Sequence, residues 1–291
     1  WIRHVTETLL APVRGDDDDI DEAWKGSGKR YPWSYRVQVV IPHMDTPEPV
    51  ELAVELWRSQ TVRPFICIVD LGSLDCHRER LAALQSDDVE IHYLRGHGYR
   101  HPSEPCSVAQ DIALARCQQE HQFCTHSDVF PRRRDLLESF IKQCNADAPV
   151  VGYEISSRDH VKGLQADVWP GMVGHTATVL HVPTIKQQGI TWDYERALLD
   201  GHGISRTNLS DFDTEIGFNL LCRRAGITPV IIGTERNGVR TLDDNIDHIR
   251  SFGSSKQYSP NHHGKASKWM ADGMREAAER LQEWQASEVT G

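Results

Sequence analysis

The stretch VVIPHMDTPEPVELAVELWRSQTVRPFICIVDLGS, residues 39–73, decides how the rest of the chain is read. It belongs to an apolar-rich run, Val37 to Ile41, that ends at Pro42. From Pro49 to Gln60 the apolar residues Val50, Ala53, Val54 and Trp57 recur at helical spacing. A second apolar run, Phe65 to Val69, follows and leads into Asp70-Leu71-Gly72-Ser73. Strand, helix and strand in this order form a βαβ unit. Runs that are apolar at nearly every position suit strands buried on both faces.

The alternation continues outward. Leu81 and Leu84 mark a short helix, Val89 to Leu94 a third strand, and Val108, Ile112 and Ala115 another helix. Phe123 to Thr125 reads as a fourth strand. Pro131 stands near a helix start, where its missing N–H costs little, and Leu136, Leu137, Phe140 and Ile141 form the buried face of that helix. Over residues 37–145 this predicts an α/β fold with a mostly parallel sheet covered by helices on both sides. Further on, Val150 to Ile155, Met172 to Leu180 and Pro229 to Ile232 read as strands, and Thr214 to Ala225 as a helix closed by Gly226. A final helix carries the stripe Trp269, Met270, Met274, Ala277, Ala278, Leu281 and Trp284, expected to pack against the domain. Residues 1–35 read as an irregular lead-in, with Asp16 to Asp19 a solvated loop. The expected organisation is therefore an extension over 1–35, a main domain over 36–250, and a loop with a helix over 251–291.

Composition narrows the function. The chain has 291 residues, 39% hydrophobic and 25% charged, which is the balance of a globular protein. Its net charge of −10 repels phosphate backbones, so non-specific nucleic-acid binding is not expected. The seven cysteines form no CxxC pair and no tight cluster, against a disulfide framework or a zinc knuckle. Several lie in apolar runs, where a reduced thiol behaves as a small core residue; a reducing, cytoplasmic setting is expected. No run approaches membrane-spanning length, and the start shows no charged-then-apolar leader.

In an open parallel sheet, ligands bind beyond the carboxyl ends of the strands. The first strand is followed by Pro42-His43-Met44-Asp45, the second by Asp70-Leu71-Gly72-Ser73, the fourth by His126-Ser127-Asp128. One acid at a strand end often only caps a helix. Three polar ends on one edge predict a ligand pocket, though not a reaction.

A resemblance supplies the reaction. Residues 39–73 resemble the opening of family-2 glycosyltransferases of the GT-A fold: a strand ending in Ile-Pro, a polar turn, a helix ending near Ser-Gln-Thr, and a strand ending in Val-Asp-x-Gly-Ser. FCTHSDVFP, residues 123–131, resembles the family's DxD region with His in first position. DFDTEIGFNLLCRRAG, residues 211–226, resembles its later acidic motif and helix. The likeness runs over about residues 37–250. It implies a GT-A-like, Rossmann-type domain with a nucleotide-binding half, 36–130, and an acceptor half, 131–250.

The resemblance also implies roles. Asp70 accepts from the nucleobase or ribose, the turn Pro42, His43 and Met44 walls the base, and Ser127 lies with them. Asp128 holds a divalent cation, Mn2+ or Mg2+, on the diphosphate of a nucleotide-sugar donor, UDP by default. His248 is the candidate histidine ligand, with His262 and His263 as rivals; His126, in place of the first Asp of DxD, is another. Negative charge left on the diphosphate is what such a cation stabilises. A carboxylate must take the acceptor's proton. Asp213 is the first candidate, Glu215 the second, Asp211 the third, and an N-cap role suits Asp211 or Asp213 equally. The implied reaction is an inverting displacement onto a hydroxyl of a glycan, a lipid-linked acceptor, a small molecule or a protein. Leu71, His43 and His126 depart from the family pattern. Two alternatives stand beside this reading. A non-catalytic nucleotide-sugar-binding protein fits those departures. A sugar-1-phosphate nucleotidyltransferase needs a Gly-rich basic loop that IPHMDTPEP lacks. Arg95, Arg100 and His101 form a loop with a phosphate-binding alternative, and Trp169 and Trp192 are open between sugar stacking and packing.

Overall fold

The computed structural model describes residues 35–94, 104–155, 170–192, 214–235, 241–249 and 265–289. The first half alternates: β1 (Val37–His43), α1 (Pro47–Arg58), β2 (Phe65–Asp70), α2 (Asp75–Ala82), β3 (Val89–Tyr93), α3 (Glu104–Arg116) and β4 (His121–Cys124). The second half holds β5 (Val129–Pro131), α4 (Leu136–Ile141), β6 (Val150–Ile155), β7 (Val173–His181), α5 (Val182–Gln188), α6 (Thr214–Arg224), β8 (Val230–Glu235), β9 (Thr241–Leu242), β10 (Ile246–His248) and α7 (Lys265–Val289).

Seven strands form one sheet in the order β3-β2-β1-β4-β7-β6-β8. The pairs β3–β2, β2–β1, β1–β4 and β6–β8 are parallel, while β7 runs antiparallel to β4 and β6. The fold is thus α/β, with a mixed, mostly parallel sheet. Period two explains how one strand serves two layers. Val37, Val39 and Ile41 pack with Val50, Val54 and Trp57 of α1, whereas Val40 packs with Ala109, Ile112 and Ala113 of α3. Each fully buried Val, Ile or Leu stabilises by roughly 1.5–3 kcal/mol, so β1 anchors both faces.

Ends are set locally. Pro sits in the first turn of α1, with Glu48 near its N-terminus and Arg58 in its last turn, as the helix dipole favours. Gly226, at φ +72°, stops the chain just past α6.

Three expectations change. Pro42 lies inside β1, paired with Val69, and the strand continues to His43. Pro131 does not open a helix. It is the last residue of β5 and pairs with Ile246, and α4 begins at Leu136. A proline fits a three-residue ladder at its end, where its missing N–H costs one bond at most. Trp269 stands outside the stripe of α7 and is exposed, whereas Ala277 is buried and Met270, Met274, Leu281 and Trp284 pack against the core. The other helical and strand segments appear with bounds moved by one to a few residues. The lead-in up to residue 34 lies outside the described residues.

A second sheet, β5-β10-β9, joins the main body at the end of β4. α7 lies across it. Arg280 Nη1 donates to the Pro131 carbonyl at 2.9 Å, and Arg280 Nη2 lies 3.8 Å from the buried carboxylate of Asp247. All seven cysteines are free; Cys76 is exposed, Cys106 half-buried, and the other five buried. No helix among the described residues is long and apolar enough to cross a membrane.

Candidate functional site

The topology collects polar groups at one edge. β1, β2 and β4 end there at His43, Asp70 and Cys124, and the parallel registers place His43 beside Asp70. β7 runs the other way, so its beginning lies at that edge: Thr178 is opposite Cys124, and Val173 to Ala177 project past β4. β6 and β8 run parallel to each other and end at Ile155 and Glu235.

At the β1–β2 end, Thr46 N–H donates to His43 Nε2 at 3.1 Å. That nitrogen is an acceptor, so Nδ1 carries the proton and donates to Asp70 Oδ1 at 3.0 Å. Asp70 Oδ2 accepts from Arg78 Nε at 2.8 Å and from the Ser73 N–H at 3.3 Å. Asp70 is wholly buried. Burial pushes its carboxyl up, but the bonds from His43 and Ser73 and the Arg78 charge outweigh this and hold it below the usual carboxylate range. In this structure the Asp70 carboxylate braces the turn through His43, Ser73 and Arg78. Asp45, at φ +53°, completes the clasp: its N–H donates to Ser73 Oγ at 2.8 Å, and its Oδ1 accepts from the Leu74 N–H at 2.9 Å. Pro42 is buried, Met44 is half-buried, and Ser127 Oγ lies 3.2 Å from Thr46 Oγ1.

The second group forms after β4. Asp128 is the residue before β5, and β10 pairs with β5 so that His248 is opposite Val129. The Ile249 N–H donates to the Asp128 carbonyl at 3.0 Å. This register puts His248 Nε2 3.6 Å from Asp128 Oδ1. Nδ1 of His248 lies 3.2 Å from Glu235 Oε1, and because a carboxylate only accepts, Nδ1 carries the proton. Nε2 is the nitrogen that faces Asp128. His126 is half-buried with its ring centroid 5.6 Å from that of His248. One ligand atom each from His126, Asp128 and His248 lies within 4.8 Å of the others. One carboxylate with two imidazoles, one of them steered by a glutamate, suits a divalent ion such as Mn2+.

A third group lies alongside. His126 Nε2 is 3.1 Å from His175 Nδ1, which is 3.0 Å from Glu215 Oε1. The same oxygen accepts from the His175 backbone N–H at 3.1 Å. Burial disfavours the charged His175 ring, yet Glu215 and Cys106 outweigh it and put its pKa well above the ordinary imidazole value. Trp192 is fully buried and stacks on Phe218, ring centroids 3.9 Å apart, which settles that tryptophan as core packing.

The structure thus brings together His43 with Asp70, and His126 with Asp128 and His248, and it places Glu215 beside them through His175. Asp211, Asp213, Arg95, Arg100, His101, Trp169, His262 and His263 lie outside the described residues. Sequence reasoning missed His175, Glu235 and Cys106 as site residues. Glu235 ends a strand whose expected span stopped at Ile232, so extending it three residues was the available signal.

No protein-family model matches the chain, and no curated protein matches it. Solved structures do. One is a mannosyltransferase, PcManGT from Pyrobaculum calidifontis, in complex with GDP-Man and Mn2+: 14% identity, 93% of this chain and 81% of that one covered, TM-score 0.47. Another is glucosyl-3-phosphoglycerate synthase from Mycobacterium tuberculosis in complex with phosphoglyceric acid: 12% identity, 72% and 74% covered, TM-score 0.44. A third is S. aureus TarS 1-349 in complex with UDP: 14% identity, 55% and 51% covered, TM-score 0.39.

Proposed function

We propose that the chain is a nucleotide-sugar-dependent glycosyltransferase of the GT-A type that uses a divalent cation and inverts the transferred sugar. The observation that carries this is the convergence of His126, Asp128 and His248 at the carboxyl edge of the sheet, with Glu235 fixing the tautomer of His248. The motif order over residues 37–250 supports the same reading.

Asp128, His248 and His126 would hold Mn2+ or Mg2+, which supplies positive charge to the diphosphate as the sugar–phosphate bond breaks. The turn Pro42 to Met44 and Ser127 wall the nucleotide, UDP by default. For Asp70 to accept from a base, the turn that covers it must open, because the residue is wholly buried. Its assigned task is therefore to hold that turn in place. Asp213 takes the proton of the acceptor hydroxyl; it directly precedes α6, whose first turn carries Glu215. Glu215 is second in line for that role. Its Oε1 also holds His175, so it can orient that imidazole as well. The free cysteines support a reducing, cytoplasmic setting.

The test is a thermal-shift panel of nucleotide sugars with and without Mn2+, followed by assay of released nucleoside diphosphate. A ligand that binds the native state raises Tm. A Mn2+-dependent rise with one donor, and nucleoside diphosphate release from that donor, is expected. A rise without release would leave a binding protein, and no rise with any donor would end the proposal.

A further inference from the structure

We propose that Cys106, His126 and His175 form an alternative metal site, for a borderline-soft divalent ion such as Zn2+ or Co2+, which shares His126 with the Asp128–His248 group and competes with it for that ligand. This goes beyond the transferase reading and does not depend on it. One ligand atom each from the three side chains lies within 4.8 Å of the others. The chemistry of the set differs from its neighbour's: a thiol and two imidazoles, with no carboxylate. Thiolate with imidazole is the donor set of zinc, not of magnesium or manganese.

The supports repeat the pattern at His248. Glu235 faces Nδ1 of His248, and Glu215 faces Nδ1 of His175. A carboxylate on one ring nitrogen fixes the tautomer and presents the other nitrogen for ligation. In His248 that nitrogen looks to Asp128. In His175 it is Nε2, a buried atom with no hydrogen-bond partner among the described residues, on a side chain 8% exposed. A buried imidazole nitrogen left without a partner costs free energy, and a metal ion supplies one. Cys106 is reduced and half-buried, on α3, so an ion has access from solvent. Binding releases two protons to solvent: the Cys106 Sγ–H bond and the His175 Nε2–H bond break as Sγ–metal and Nε2–metal bonds form. A fourth position stays open for water or an anionic ligand, as at zinc sites that are not closed by protein.

The experiment titrates Co2+ into the full, metal-stripped chain under reducing conditions and reads the near-ultraviolet thiolate-to-cobalt band. Wild type is expected to develop the band saturably, and Zn2+ to displace it. Cys106→Ser should abolish it, Asp128→Ala should keep it, and Cys76→Ser, which removes the exposed thiol, should keep it too. Glu215→Gln should weaken Co2+ by about 10–100-fold while the band remains reachable at higher Co2+. Absence of the band in wild type, or its persistence in Cys106→Ser, overturns the site. Mn2+ binding to Asp128, followed in the same variants by calorimetry, reports on the transferase reading separately.

Discussion

Nδ1 of His248 is 3.2 Å from Glu235, and that single contact orders the candidate cation site. Without it the ring can flip, and Nε2 no longer faces Asp128. Glu235→Gln should therefore weaken Mn2+ by about 10–100-fold while leaving the fold intact. Calorimetric titration of Mn2+ checks this, and an unchanged Kd would remove Glu235 from the site. Asp70 makes a different prediction. It is a fully buried carboxylate bonded to Arg78, so Asp70→Ala removes the counter-charge of a buried guanidinium that keeps its bond to the Leu94 carbonyl. The expected cost is about 3–5 kcal/mol, read from urea unfolding, and a loss near zero would show that the Arg78 pair is dispensable. The places of Asp70 and Asp128 at one sheet edge were legible because strand ends point to them, whereas His248 came from the resemblance alone, beside His262 and His263. The partners of these residues were not legible. The Glu235–His248 contact joins two loop-connected strands, and His175 meets Glu215 across 40 residues, distances at which spacing carries no geometry. Nor does a motif reveal that Asp70 faces inward, because Arg78 reaches it from one turn into α2.

At the scale of elements, the clasp between α1 and β3 carries a pH signature. Arg58, Arg63 and Ser86 converge on Asp88 just before β3. Burial pushes the Asp88 carboxyl up, but those bonds prevail and bring it down to about 2. A folded pKa below the unfolded one means that the stabilisation is present above about pH 4 and is lost as pH falls towards 2. Asp88→Asn should flatten that acid limb of a urea-midpoint-against-pH curve, and a limb as steep as wild type would contradict the assignment. The other element with a clear consequence is α7. A Cβ on Gly273 would meet Ile249 Cδ1 at 2.6 Å and Cγ1 at 2.8 Å, so a side chain there fits only if Ile249, the residue after β10, moves aside. Gly273→Ala gains about 1 kcal/mol of helix propensity but overpacks the contact by about 1–3 kcal/mol. Lower stability, together with weaker Mn2+ binding at the neighbouring His248, is the expected result; a stabilised variant with normal Mn2+ binding would contradict it. The βαβ alternation was readable because buried parallel strands and amphipathic helices leave different periods. β5, β9 and β10 were not, because strands of two or three residues leave no period at all.

Taken as one molecule, the chain carries a net charge of −10, and a nucleoside diphosphate is itself an anion. Association then depends on positive charge supplied locally at the sheet edge, and chelation should abolish it. The two histidine–glutamate pairs flank His126, so the edge offers two adjoining donor sets of unlike softness from residues scattered over residues 106–248. Such a constellation exists only once the mixed sheet has closed around β7, which is why composition and motif could forecast a polar strand edge but not its inventory. The direct measurement is a calorimetric titration of UDP and GDP, with Mn2+, into wild type and Asp128→Ala. The account predicts saturable one-to-one binding of at least one nucleotide to wild type, lost on chelation and weakened by about tenfold or more in the variant. Equal affinity in the two proteins would contradict it.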